Sequence, residues 1–351
     1  MRRRVAAERI PLNTLAIPFG LAGIADVWTF AGGALPIPTW LPPVLWTVVA
    51  VSWVWLVVAH VVRGFLVRMP LREQLRHPVQ GPIAALVPVV AMLVGIEAVE
   101  YSPVVGRVVI GLAMITTALY AGWFFGRVFT GGIAVDAVHG GYLLPSVAGG
   151  YIASYAAAVS GWTGLAIGWF GFGTLGWVVT FSLLTARLAL RPALPDALQP
   201  TLMIMIAPPA VGGLALFAID PSIGAAQEFM AVTLIVMLLA QLALLPRYLK
   251  TTFTLGFWSF TFPCAAAASY GIVWVTTAEV PGYQIITLVL ATAITSLVLV
   301  IALRSLKLVL PVPAGVIAAE DVLARDDDSS LRRGTAGLNA PSTEGTHHGR
   351  S

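Results

Sequence analysis

The sequence predicts an all-α membrane protein of ten transmembrane helices. Three observations predict it. Hydrophobic residues make up 58% of the 351 and charged residues only 10%, against about 45–50% and about 25% in soluble domains, and mean hydropathy is +0.89. Ten stretches are long and apolar enough to cross a bilayer, which takes about 20 residues. The basic residues between those stretches fall almost entirely on one side. Lipid cannot satisfy a free backbone, so runs of this length must cross as helices.

The stretches are residues 11–31, 41–62, 80–99, 104–126, 142–160, 164–187, 201–219, 225–246, 253–277 and 283–306. An even count returns both termini to one side. That side holds Arg2, Arg3, Arg4, Arg9, Arg63, Arg68, Arg72, Arg76, Arg127, Arg187, Arg191, Arg247, Lys250, Arg304 and Lys307, whereas the other holds Arg107 alone. A wrong count would mix the two sets. The excess of positive charge places both termini in the cytoplasm of a cell-membrane protein. The opposite loops carry acids instead, at Glu97, Glu100, Asp220, Glu228 and Glu279. Residues 1–10 then form a cytoplasmic N-terminus and 11–310 the transmembrane domain. Residues 311–351 hold ten of the 36 charged residues and read as a disordered cytoplasmic tail.

Several function classes drop out. The basic residues form no patch, which excludes nucleic acid as a partner. One cysteine, Cys264, excludes a disulfide framework or a thiolate metal cluster. No Walker loop, His-Glu-x-x-His, Cys-x-x-Cys or Gly-x-Ser-x-Gly motif occurs, so the sequence suggests no enzyme, catalytic residue, cofactor or metal.

The prolines carry a repeat. Pro42, Pro43, Pro103 and Pro281 are placed to start helices. Pro18, Pro88, Pro145, Pro208 with Pro209, and Pro263 sit inside spans, and all of those spans are odd-numbered; the even spans are expected to have none. Consecutive separations are 70, 57, 63 and 55 residues, each the length of a helical hairpin, which signals internal repetition. An interior proline costs a backbone hydrogen bond and kinks its helix. A membrane tolerates that where the freed groups meet protein or a water-filled cavity. Five kinked odd helices are therefore expected to surround a central space, with five even helices facing lipid. Small residues in the odd spans (Gly20, Gly23, Gly149, Gly150, Gly212, Gly213 and Ala265 to Ala268) allow close helix packing or leave room for a pore.

In the ninth span a 100° phase puts Leu255, Ser259, Phe262, Ala266 and Ser269 on one face, and Phe253, Phe257, Phe260 and Cys264 opposite. Phe262 is thus a lone large ring on a small, polar face, next to Pro263. Spacing leaves two readings open, a ring that plugs a narrow conduit or ordinary core packing. Candidate pore-lining residues are Pro18, Pro88, Pro145, Pro208, Ser259, Pro263 and Ala266. Asp26, His60 and Glu97 lie near span ends, and no charge falls at mid-membrane. Deep charges mark proton relays and ion sites, so their absence argues against a tightly proton-coupled pump. Arg63, Arg127, Arg187 and Arg247 either attract anions at the cytoplasmic mouth or only set topology. His77 is a further mouth candidate or an interfacial cap.

Four segments carry a family resemblance: His77-Pro78-Val79-Gln80-Gly81, Leu143-Leu144-Pro145, Gln199-Pro200-Thr201-Leu202 with Ile206-Ala207-Pro208-Pro209-Ala210-Val211, and Trp258-Ser259-Phe260-Thr261-Phe262-Pro263. In order and spacing, over residues 11–308, the chain resembles the tellurite-resistance/dicarboxylate transporters. That family includes the bacterial TehA proteins, yeast malate and sulfite transporters, and plant guard-cell slow anion channels. The resemblance implies five helical hairpins in a quasi-five-fold ring, a homotrimer, and an anion pathway closed by a central phenylalanine, which maps onto Phe262. The function it implies is a channel or transporter for small inorganic or carboxylate anions in the lipid bilayer. The alternatives are a proton-coupled C4-dicarboxylate, sulfite or tellurite transporter on the same fold, or a membrane-embedded enzyme or scaffold.

Overall fold

The computed structural model describes residues 9–67 and 71–309, so Arg2, Arg3, Arg4, Arg68 and the tail 311–351 lie outside the described residues. By contact the chain divides into residues 1–303 and 304–351. The described part of the second unit is the last turns of the final helix. Everything below concerns the first.

Ten spans are helical. They are α1 (Leu12–Gly32), α2 (Leu41–Val67), α3 (Gly81–Tyr101), α4 (Pro103–Phe129), α5 (Gly140–Val159), α6 (Thr163–Leu190), α7 (Asp196–Ile219), α8 (Ala225–Tyr248), α9 (Leu255–Phe260 continued by Thr261–Thr277) and α10 (Tyr283–Val309). Nine are long and apolar enough to cross a membrane; α9 has the length but more polar residues. A short helix, Leu71–Arg76, links α2 to α3. No strand occurs among the described residues.

The helix ends follow local chemistry. Pro103 opens α4, where its missing N–H is not needed, and Ser102 before it is extended. α5 ends on Gly161 at φ +79°, a conformation open to glycine, and the Trp162 N–H closes the turn on the Ala157 carbonyl at 2.8 Å.

The odd helices pack in a closed ring, α1 on α3, α3 on α5, α5 on α7, α7 on α9, and α9 back on α1. Each even helix lies outside it, against its own odd helix and the next. α2 touches α1 and α3, α4 touches α3 and α5, and α6 touches α5 and α7. α8 packs on α7 and takes the Tyr270 hydroxyl of α9 on its Gln227 carbonyl at 2.6 Å. From α10, Thr295 accepts the Trp28 indole N–H of α1 at 3.0 Å. Burial follows the same division. It covers 50 to 78% of α1, α3, α5 and α7, but 11 to 33% of the even helices. The expected inner and outer sets are therefore present.

The prolines do something other than kink a continuous α-helix. Each odd helix changes type part-way. Leu12–Leu15, Gly81–Ala85, Asp196–Ile206 and Leu255–Phe260 are 3-10 turns, and Leu144–Ala148 is a π turn. An α-helix follows in each case. Pro18, Pro88, Pro208 with Pro209, and Pro263 stand in its first turn, and Pro145 stands within the π turn. Near a helix start proline costs little, so the repeat marks where two helix types join. The even set is not free of interior proline, because Pro246 sits in α8 two residues before its end. There the missing N–H weakens only the last turn.

Glycines of the ring serve packing. A Cβ on Gly20 would lie 2.0 Å from Thr261 Oγ1, and one on Gly23 would lie 2.7 Å from the Ala265 Cβ and 3.2 Å from the Phe262 Cα. Of the two roles open to these small residues, the structure uses close approach of α1 to α9.

Candidate functional site: a central cavity lined by two stacked phenylalanines

The five odd helices enclose a cavity of about 60 Å³ on the ring axis. It is bounded by their non-α segments and the first turns of the α-helices that follow. Asn13, Ile83, Leu144, Thr201 and Ser259 line it, one from each odd helix. At its deep end Phe262 stacks on Phe19 of α1, with centroids 3.7 Å apart and planes at 17°. Both rings are buried, at 3% and 7% exposure. That volume holds a few waters.

The pore-lining candidates divide. Pro208, Ser259 and Pro263 line the cavity with Phe262; Pro18, Pro88, Pro145 and Ala266 do not. Pro88 instead faces a second cavity, between α2 and α4. Ala266 and Ser269 are buried in packing beyond Phe262. Trp258, read as part of no face, does line the cavity. In a 3-10 turn residues three apart eclipse, which brings Trp258 onto the face of Leu255. On the opposite face, the rings of Phe253, Phe257 and Phe260 pack in series at 5.1 and 5.5 Å.

None of the five mouth candidates lines the cavity. Arg127 donates to the carbonyls of Leu75, Arg76 and Gly132 at 3.4, 3.2 and 3.3 Å, and its guanidinium lies 5.4 Å from the Trp123 ring. Arg187 is buried and donates to the carbonyls of Pro192 at 2.8 Å and Asp136 at 3.3 Å. Arg247 donates to Gln199 Oε1 at 3.2 Å. His77 Nδ1 accepts the N–H groups of Val79 and Gln80, each at 3.2 Å, which caps its own loop. Arg63 lies half-buried near the end of α2. The contacts of Arg127, Arg187, Arg247 and His77 hold loops and helix ends at the basic end of the bundle.

Among the lining residues that escaped sequence reading are Phe19, Asn13 and His139. Asn13 is the lone asparagine among the described residues, and its Oδ1 is buried with no hydrogen-bond partner among them. His139 is 1% exposed. Its Nε2 is 3.0 Å from the Val79 carbonyl, and its Nδ1 accepts the Gly141 N–H at 3.1 Å. Those partners fix the neutral Nε2–H tautomer. Burial pushes its pKa down to about 4, and Arg187 adds to the push. The unfolded chain therefore binds the proton between pH 6.5 and 4 while the folded chain does not. The contribution is fully present above pH 6.5 and is lost as pH falls toward 4, at about 1.4 kcal/mol per pH unit. Melting curves across that window should flatten in His139→Gln; a variant curve parallel to the parent would refute the assignment. No three of the described His, Cys, Asp and Glu side chains converge to hold a metal ion.

A ring of parallel odd helices around an axial cavity, with no acid among its described lining residues, is a geometry for an anion path. The family model for the voltage-dependent anion channel matches residues 9–306, the whole ten-helix span. The chain belongs to this family. A curated relative, the tellurite resistance protein TehA homolog of Haemophilus influenzae, is 23% identical over 262 residues, covering 74% of this chain and 80% of that protein. Membership makes the chain a multi-pass membrane protein for anion transport, as channel or transporter. The family supplies no enzyme precedent for the site.

Proposed function

We propose that the chain passes small inorganic or carboxylate anions along the ring axis, with Phe262 as the gate and Phe19 as its stacking partner. The observation that carries this reading is the ring pair closing a cavity shared by all five odd helices. Electrostatics support it. The odd helices all run from the basic end, so their positive N-terminal dipole ends face the same mouth. The same end of the bundle also carries Arg9, Arg127, Arg187 and Arg247. Passage takes rotation of the two rings. The protein sits in the cell membrane with both termini in the cytoplasm, and the chemistry is transport alone.

The assembly is a homotrimer. A support is the outer face of α6, where Gly164 and Gly168 stand as Gly-x-x-x-Gly with nothing within 4 Å of either Cβ position, a spacing that lets helices of two copies approach.

The test is a proteoliposome flux screen over chloride, nitrate, sulfite, tellurite and malate. Electrogenic flux of at least one anion is expected, and it should persist when the pH gradient is collapsed. Flux that stops with the gradient would replace the channel with a proton-coupled carboxylate, sulfite or tellurite transporter. Silence toward every anion would overturn the reading. Mass measurement in detergent checks the trimer.

A further inference from the structure

An off-axis cavity lies between the first two hairpins, at the basic end. It measures about 740 Å³, within the range of sites that hold organic ligands and far larger than the axial cavity. The two share no lining residue. On α1, Asn13 and Ala16 face the axis while Leu12 and Leu15 face the second cavity; on α3, Ile83 and Leu86 face the axis while Ala84 and Val87 face away.

Its lining is mixed. Apolar side chains such as Val57, Val61 and Val87 stand beside the polar Arg9, His60 and Gln74. Val61 and Phe65 on the rim are 52% and 81% exposed on the outer surface of α2, which in a bilayer is covered by acyl chains. The mouth of the cavity thus opens to lipid. The polar part is built. Buried Gln74 donates to the Ile10 carbonyl at 2.8 Å and accepts from Arg9 Nη1 at 3.3 Å. The guanidinium lies over Gly64, where a Cβ would come 2.7 Å from Nη2. No carboxylate stands among the described lining residues.

We propose that this cavity binds an anionic phospholipid of the leaflet at the basic end. The phosphate sits at the Arg9 guanidinium, and an acyl chain lies along Val57, Val61 and Val87. Charge complementarity selects the headgroup, since basic pockets between membrane helices suit acidic lipids, and the apolar length excludes a small ion as the occupant. This holds whether or not the axial path conducts.

The full chain is purified in detergent and titrated with phosphatidylglycerol, phosphatidylcholine or soluble glycerol phosphate, read by native mass spectrometry and melting temperature. Phosphatidylglycerol should be retained and raise the melting temperature more than phosphatidylcholine does, and glycerol phosphate should do neither. Arg9→Gln should weaken phosphatidylglycerol retention about fivefold or more. Val57→Trp, which fills the acyl part and leaves the guanidinium intact, should abolish it. Equal retention of both lipids with Arg9→Gln unchanged would overturn the proposal. So would a melting shift from glycerol phosphate equal to that from the lipid, or a change in oligomeric state with Val57→Trp, which would put a second copy in the cavity.

Discussion

Replacing Phe262 with alanine is expected to raise anion flux through the protein by about tenfold or more. The ring is the deep wall of the axial cavity, and its partner Phe19 is stacked on it at 3.7 Å. Removing one of the two rings leaves a gap on the axis that the other cannot fill without turning. Tenfold corresponds to lowering the barrier by about 1.4 kcal/mol, less than an aromatic pair and its buried area supply. The substitution also weakens the fold. Truncating a buried phenylalanine costs about 3–5 kcal/mol, so flux must be read on protein shown to be folded by its melting curve. Phe19→Ala should act in the same direction. The double variant should add little to the larger single effect, because the two residues are in contact and not independent. Folded single variants with unchanged flux would remove the gate assignment.

The second large effect is on folding. Gly140→Ala should destabilise the protein by about 3 kcal/mol or more. A Cβ there would lie 1.9 Å from the Thr201 carbonyl oxygen and 2.8 Å from its carbon. Both are backbone, so no rotamer relieves the clash. The contact joins the first turns of α5 and α7, and both line the axial cavity through neighbouring residues. Gly122→Ala on the outside of α4 is the control, because nothing lies within 4 Å of its Cβ position; it should be neutral or mildly stabilising. Thermal melting of the two variants side by side makes the comparison. A Gly140→Ala melting curve like that of the control would mean that the α5–α7 contact relaxes freely.

The sequence made much of this legible. Charge scarcity, span length and the sidedness of arginine reflect the bilayer directly, and each was readable without neighbours. The proline period was readable too, because it recurs once per hairpin. Its meaning was not. Pro18 and Pro263 read as kinks on a helix of one type, whereas they open an α-helix that follows a 3-10 turn. A phase of 100° per residue does not hold through such a turn. It therefore missed Trp258, and Ala266, one turn beyond Phe262, is buried in packing below the cavity. Phe19 was hidden for another reason. Its role depends on α9 closing the ring against α1, a contact between residues over two hundred positions apart. Nothing in the sequence singles out His139, because its tautomer depends on the Val79 carbonyl and the Gly141 N–H.

The contrast between the two sets of helices has a consequence for drift. In α2 only 11% of the span is buried, while in α5 the figure is 78%. An outer helix is held mainly to being apolar, since lipid tails make no demand on side-chain shape. An inner helix is held to the volume of every neighbour. In a library that swaps apolar residues at random, losses should crowd into α3, α5 and α7 and largely spare α2 and α8. The protein is in that sense a constrained ring of five helices wearing an interchangeable coat.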